Sequence, residues 1–102
     1  MTLHLTDAAE ADLAEIWGYI ATEVSETTAT RYLDRIIKTI DVVRQSPLMG
    51  TTRDQLGTGL RVTFHHPYAI YYQVTKRTLI VVRVLHGARD VAAIAEQGGF
   101  VH

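Results

Sequence analysis

The 102-residue chain contains no cysteine, and this absence excludes disulfide bonds, thiolate zinc sites and a thiol nucleophile. Serine is almost as scarce, since only Ser25 and Ser46 are present. No apolar run approaches the ~20 residues that a membrane-spanning helix needs, and residues 1–5 lack the basic and apolar regions of a signal peptide. We therefore expect a cytoplasmic protein that does not contact a membrane.

Length and composition predict one folded domain over residues 1–102. Hydrophobic residues make up 47% of the chain, which is typical of a packed globular protein. The chain has no internal repeat, no low-complexity stretch and no linker at which it could divide.

The net charge of -1 combines an acidic first half with a basic second half. Residues 1–52 carry four basic and eight acidic side chains, a balance of -4, whereas residues 53–90 carry six basic and two acidic ones, a balance of +4. A basic second half favours an anionic partner, and scattered surface charge explains it equally well. The whole chain is too close to neutral to coat nucleic acid, and we expect no sequence-specific binding to it.

The first half has the apolar periodicity of two helices. Thr6 can cap a helix over about Asp7–Thr22, in which apolar side chains recur every three or four residues. Ser25 can cap a second helix, which must end before Pro47. The short break between the two predicts an antiparallel helical hairpin.

From Leu60 onward the apolar period changes to two, which is typical of strands. His66-Pro67 and the polar segment Thr75–Thr78 separate three such strands, and Met1–Leu5 predicts a short edge strand. We therefore expect an α+β domain of order β-α-α-β-β-β, in which the hairpin packs on an antiparallel three-stranded meander. A short C-terminal helix follows, and residues 96–100 beyond it should fray.

The last strand, Leu79–Leu85, is apolar on both faces, although an antiparallel sheet with one wet face should alternate more cleanly. We assign Ile80, Val82 and Val84 to the face that meets the helices, which leaves Leu79, Val81, Arg83 and Leu85 on the other. Either the tail segment Val91–Ala95 covers that second face or a partner segment does, and both can hold at once. As a partner groove, the face has Arg61, Arg83 and Arg89 at its rim and suits an amphipathic acidic peptide.

Candidates for catalysis are few. We favour a structural role for His86, bonded to the backbone of its turn, because no serine or cysteine accompanies it as a nucleophile. His65 and His66 are adjacent in a strand, so their rings point to opposite faces and cannot share one metal ion. We therefore expect no metal site and no cofactor. Asp90 fits the cap of the tail helix, and Arg89 is either a solvated turn charge or a contact to an anion.

Seven short segments follow one another in a recognisable order and spacing. They are Leu5–Leu13, Glu15–Ile20, Tyr32–Ile36, Ser46–Gly50, Gly59–Arg61, Tyr71–Val74 and the run Leu79–Asp90. Together they resemble the RelE/ParE superfamily of bacterial toxins from residue 3 to about residue 94, and the ParE branch resembles the chain most. The resemblance implies the same α+β fold that the periodicity predicts.

This superfamily holds two activities. RelE-type toxins cut messenger RNA on the ribosome with basic residues on the sheet and commonly a tyrosine near the C-terminus, whereas ParE-type toxins poison DNA gyrase and are not known as hydrolases. At the corresponding positions this chain keeps Arg61 and Arg89, but Thr63 and Ala69 are uncharged and Ala95 replaces the tyrosine. We therefore expect the toxin of a type II toxin–antitoxin pair that binds gyrase and has no catalytic residues.

The resemblance also implies a ParD-like antitoxin as partner. We assign antitoxin binding to the groove and its rim, at Arg61, Leu79, Val81, Arg83 and Leu85. The resemblance places toxicity in the C-terminal segment, so we assign target binding to Arg89, Val91 and Ile94. Two alternatives stay open: a ribosome-dependent RNase, and a binding module of the same fold that has lost its toxicity.

Overall fold

The computed structural model describes all residues from Met1 to His102 and contains one five-stranded sheet. Its strands are β1 (Thr2–Leu5), β2 (Thr51–Thr52), β3 (Arg61–His65), β4 (Tyr68–Thr75) and β5 (Thr78–His86). They lie in the order β1-β5-β4-β3-β2; β1 runs parallel to β5, and all other neighbours are antiparallel. The predicted edge strand and meander are confirmed, and the two-residue β2 is an addition that the periodicity did not predict.

Both predicted helices and their caps are present. Helix α1 spans Asp7–Glu23 and α2 spans Glu26–Gln45, so α1 runs one residue past its predicted end. The hydroxyl of Thr6 accepts the Ala9 N–H at 3.0 Å, and that of Ser25 accepts the Thr28 N–H at 3.1 Å, which satisfies amide donors that each helix start leaves free. No helix has the length and apolar character needed to cross a lipid bilayer.

The hairpin packs on one face of the sheet and forms what we call the helix-side core. The helices and the sheet contribute similar numbers of buried apolar side chains to it. From the helices come Ala9, Leu13, Ile16, Ile36, Ile40 and Val43, and from the sheet come Ile70, Tyr72, Leu79, Val81 and Val84.

The chain's own tail covers the opposite face of the sheet. A short helix, α3 (Val91–Glu96), begins at Asp90, whose carboxylate accepts the Ala93 N–H at 3.1 Å, and this confirms the predicted cap. Phe100, 4% exposed, lies with its ring centroid 4.9 Å from that of Tyr71. We call this second cluster the tail-side core; its other buried members are Leu60, Val62, Ala69, Val82 and Leu85. The expectation that residues 96–100 fray is therefore wrong, because Phe100 anchors them.

A β-bulge in β5 reverses part of the predicted face assignment. Tyr71 pairs with Arg83 and Tyr72 with Val81, so Val82 has no partner across the ladder. The extra residue shifts the alternation of side chains by one position. As a result Leu79 and Val81 face the helices and Ile80 and Val82 face the tail, which is the opposite of the prediction, whereas Val84 and Leu85 lie where we expected them.

Candidate functional site

Arg83 is tied to α1 and to the tail, and it is not a free charge at the rim of a groove. Its Nε donates to Asp12 Oδ2 at 2.7 Å, its Nη2 to Asp12 Oδ1 at 2.9 Å, and its Nη1 to the Gly99 carbonyl oxygen at 3.3 Å. The hydrogen bonds that Arg83 donates to the Asp12 carboxylate raise the pKa of Arg83 above its ordinary value. This bidentate ion pair joins α1 to β5, and the hydrogen bond to Gly99 adds the C-terminal segment.

Asp12 also closes the open edge of β5. Strand β1 ends at Leu5, opposite Val81, so the rest of β5 has no strand on that side. There Asp12 Oδ2 accepts the Val84 N–H at 2.9 Å, and the Thr6 hydroxyl donates to the Val82 carbonyl oxygen at 2.8 Å. Side chains thus satisfy backbone groups that would otherwise invite another strand.

Arg61 holds the loop between α2 and β2. Its Nη1 donates to the Gly50 carbonyl oxygen at 2.8 Å and to that of Leu48 at 3.2 Å. Beside it, the buried Tyr72 hydroxyl donates to the Pro47 carbonyl oxygen at 2.9 Å and accepts the Gly50 N–H at 2.8 Å. Burial raises the pKa of Tyr72, so this hydroxyl stays protonated near neutral pH and remains a donor.

The turn after β5 presents one unpaired cation. His86 Nδ1 accepts the Ala88 N–H at 3.1 Å, which confirms the predicted structural role of His86, and the Gly87 N–H donates to the Pro67 carbonyl oxygen at 2.7 Å. The turn is therefore fixed by its own backbone. The Arg89 side chain is exposed and forms no hydrogen bond or salt bridge within the chain.

A half-open cavity of about 370 Å³ lies between α1 and this turn. Buried apolar residues contribute to its lining, namely Ile16, Val84 and Leu85. Its exposed lining residues include Tyr19, Glu15 and Arg89. The cavity brings together Leu85, predicted to bind the antitoxin, and Arg89, predicted to bind the target. It adds Glu15 and Tyr19 of α1, which the sequence analysis did not identify as site residues. The signal for Glu15 and Tyr19 was their position on α1 beside the buried Ile16.

The remaining assigned residues do not line an open groove. Leu79 and Val81 lie buried in the helix-side core, so the prediction that they form an exposed groove is wrong, and the bulge is the reason. Leu85 lies in the tail-side core, against which Val91 and Ile94 of α3 pack. The predicted cover by the tail is confirmed. Antitoxin binding by Arg61, Arg83 and Leu85, and target binding by Arg89, Val91 and Ile94, stay predictions.

The structure brings no three His, Asp or Glu side chains together as metal ligands. His65 Nδ1 lies 3.0 Å from the Thr39 hydroxyl, and the His66 ring stacks on Phe64 at 5.6 Å between centroids. The two histidines thus have different surroundings, as predicted, although His66 lies in the turn after β3 and not in the strand as we expected.

Comparison with known proteins assigns the chain to a family. A sequence model described as the ParE toxin of the type II toxin–antitoxin system parDE matches residues 3–91. The chain is 34% identical over 88 residues to toxin ParE1 of Mycobacterium tuberculosis (strain H37Rv), and the aligned region covers 85% of this chain and 90% of that protein. It is 30% identical over 89 residues to toxin ParE1 of Caulobacter vibrioides, with 87% and 92% covered.

A solved structure confirms the fold. It is that of the chromosomal ParDE toxin–antitoxin system from P. aeruginosa, and the superposition covers 84% of this chain and 95% of the matched one with a TM-score of 0.74 and 20% identity. The family model spans the domain from β1 to the start of α3, and the two relatives cover 85% and 87% of the chain. The chain therefore belongs to the ParE toxin family of type II toxin–antitoxin systems.

Proposed function

We propose that this toxin acts by binding DNA gyrase and holding the enzyme on cleaved DNA, without a catalytic step of its own. The observation that carries the proposal is the identity of 34% and 30% to two proteins named toxin ParE1 over nearly their whole length. Relatives that align over nearly their whole length at this level of identity share the same fold, and we infer a common mode of action from it. We name gyrase because it is the target that the ParE branch implies.

The surroundings of the basic residues support a binding role over RNA cleavage. Cleavage needs a general acid and a general base that converge on the reacting phosphate, each contributing about 100-fold to 10,000-fold. Here Arg83 is bound to Asp12, Arg61 to loop carbonyl oxygens, and His86 to the Ala88 N–H. These groups stabilise the fold, and Arg89 is the cation left free near the end of β5.

Arg89 is the residue that we propose touches the target. It projects from a turn whose backbone N–H groups are hydrogen-bonded, and its guanidinium is free to meet an opposing carboxylate or phosphate. Val91 and Ile94 follow at once in α3, where they pack on the tail-side core. Their proposed contribution is to fix the segment from which Arg89 projects.

We propose a ParD-like antitoxin as the neutralising partner. The matched P. aeruginosa structure is of a ParDE system, which supports this assignment. The protein to test is the one encoded by the short reading frame immediately upstream of the toxin. Copurification of the two, and restored growth when both are expressed, is the expected outcome.

Purified toxin and gyrase test the proposed mechanism directly. The toxin should inhibit supercoiling and accumulate cleaved DNA in a gyrase reaction, and addition of the antitoxin should prevent both effects. In cells, expression without antitoxin should induce the DNA damage response while messenger RNA stays intact on the ribosome. Codon-dependent cuts in messages, lost on Arg61→Ala in a folded variant, would contradict the proposal and favour a ribosome-dependent RNase.

A further inference from the structure

The cavity beside α1 has room for a large apolar side chain. Its volume of about 370 Å³ is at the lower end of the range of small-ligand sites. Ile16 and Val84 contribute apolar surface to its lining, and Tyr19 stands at its rim, 65% exposed. The Tyr19 hydroxyl has no hydrogen-bond partner within the chain. An exposed aromatic ring beside an apolar recess is a common composition at protein interfaces.

The closed edge of β5 decides how a partner can enter. A segment that added itself as a strand beside this part of β5 would need hydrogen bonds to the Val82 carbonyl oxygen and the Val84 N–H. Thr6 and Asp12 already occupy those groups, and Asp12 is held in place by Arg83. A partner that docks beside this part of β5 therefore meets the cavity with side chains, as a helix or turn does.

The charge of α1 decides the chemistry of that partner. Residues 1–30 carry six carboxylates, at Asp7, Glu10, Asp12, Glu15, Glu23 and Glu26, and no lysine or arginine. Asp12 alone among the six forms a salt bridge. The others on α1 are exposed, and Glu15 is the one of them that lines the cavity. The helix side of the cavity therefore favours a cationic segment, whereas Arg89 lies on the side formed by the turn.

We propose that the cavity receives an apolar side chain from the antitoxin, carried on a helix or turn whose lysine or arginine side chains face Glu15 and its neighbours on α1. This proposal rests on the proposed function, since it takes the antitoxin as the partner. It assigns the antitoxin to the helix side of the domain, and not to the sheet face that the tail covers. Asp12 and Glu15 both line the cavity, and Glu15 is the one of the two that no arginine of the chain pairs with.

Affinity measurements with full-length upstream-encoded antitoxin test the proposal. Glu15→Lys should weaken binding at least 10-fold, because it replaces an attractive charge by a repulsive one at the cavity. Tyr19→Ser should weaken binding by a similar factor, since it removes an apolar contact. The matched control is Asp34→Lys, which makes a comparable charge change at an exposed residue of α2 outside the cavity lining and should change affinity by less than threefold.

Two further measurements show whether the partner segment at the cavity is positively or negatively charged. Arg89→Glu adds an acidic group to the cavity lining, so it should leave antitoxin affinity unchanged or increase it. Binding by the wild-type toxin should also weaken as salt concentration rises. Circular dichroism and thermal unfolding establish that each variant is folded.

The possible outcomes distinguish failure of the cavity proposal from failure of the antitoxin assignment on which it rests. Unchanged affinity in folded Glu15→Lys and Tyr19→Ser variants, with a tight wild-type complex, overturns the cavity as the seat and leaves the toxin–antitoxin pairing intact. Tighter binding by Glu15→Lys, or a loss on Arg89→Glu, shows an acidic segment and also overturns it. Absence of any complex between the wild-type proteins overturns the antitoxin assignment, and this inference with it.

Discussion

Asp12 is a buried polar residue that joins α1 to β5. It is 9% exposed, and its carboxylate accepts two hydrogen bonds from Arg83 and one from the Val84 N–H. Its position in α1, between Ala9 and Ile16 on the apolar stripe, is the sequence signal that it is buried. A carboxylate on such a stripe needs a buried partner, because an unpaired buried charge is costly.

Replacing Asp12 tests that role. Asp12→Asn should lower the free energy of unfolding by about 3 kcal/mol, since it leaves the Arg83 guanidinium largely buried and without its counter-charge. Urea denaturation measures the change. A double variant, Asp12→Leu with Arg83→Met, should recover part of the loss because it removes both charges, and equal stability of Asp12→Asn and wild type would contradict the pairing.

Reversing the charge of Arg89 separates toxicity from folding. Arg89→Glu should abolish or strongly reduce growth inhibition, whereas the free energy of unfolding should change by less than about 0.5 kcal/mol because the side chain is exposed and unpaired. Growth inhibition and antitoxin affinity are measured side by side. Full toxicity together with weakened antitoxin binding would place Arg89 at the antitoxin and refute its assignment to the target.

At the scale of elements, the tail depends on tertiary contacts and not on its own helix. Helix α3 has six residues, too few to be stable alone in water. Phe100 packs against Tyr71, and the Gly99 carbonyl oxygen accepts a hydrogen bond from Arg83. A Cβ on Gly99 would overlap Ile94 Cγ2 and lie 2.8 Å from the Ile94 carbonyl oxygen. Glycine is therefore required at the point where the tail returns to the sheet.

Two glycine-to-alanine substitutions make a matched test of the tail. Gly99→Ala should lower the free energy of unfolding by about 1–3 kcal/mol, because the added methyl group forces the tail away from Ile94. Gly18→Ala should raise it by about 0.5–1 kcal/mol, since a Cβ there meets no atom within 4 Å and alanine favours the helix. Thermal unfolding of both variants gives the comparison; an unchanged Gly99→Ala protein would mean that the tail does not pack as described.

The whole molecule has two cores that share the same central strands. The helix-side core and the tail-side core lie on opposite faces of β4 and β5, so neither can be lost without exposing those strands. The radius of gyration of 13.2 Å equals that of a single compact domain of about 100 residues, tail included. The two faces should therefore unfold together.

Fluorescence of the single tryptophan tests this cooperativity. Trp17 lies in the hairpin, where its Nε1–H donates to the Thr30 hydroxyl at 3.2 Å. Its emission and the far-ultraviolet circular dichroism should change at the same urea concentration, and Phe100→Ala on the opposite face should shift both transitions equally. Separate midpoints for the two signals would show that the hairpin and the tail-covered sheet unfold independently.

The sequence by itself determined the features that depend on neighbouring residues. The stripes of α1 and α2, the caps at Thr6, Ser25 and Asp90, and the meander follow from local periods, local hydrogen bonds and pairing between successive strands. The order of the short segments also predicted the ParE family. These features need no knowledge of where distant parts of the chain meet.

Only the tertiary structure decided which faces and charges are free. The bulge at Val82 depends on how β5 pairs with β4, and one unpaired residue was enough to exchange the faces of Leu79 and Val81. The burial of Arg83 depends on Asp12, 71 residues away in the sequence, and the cavity on α1 meeting the turn after β5. Such contacts join residues that are far apart in the sequence, so the local periodicity cannot specify them. They leave Arg89, Glu15 and Tyr19 exposed beside one cavity.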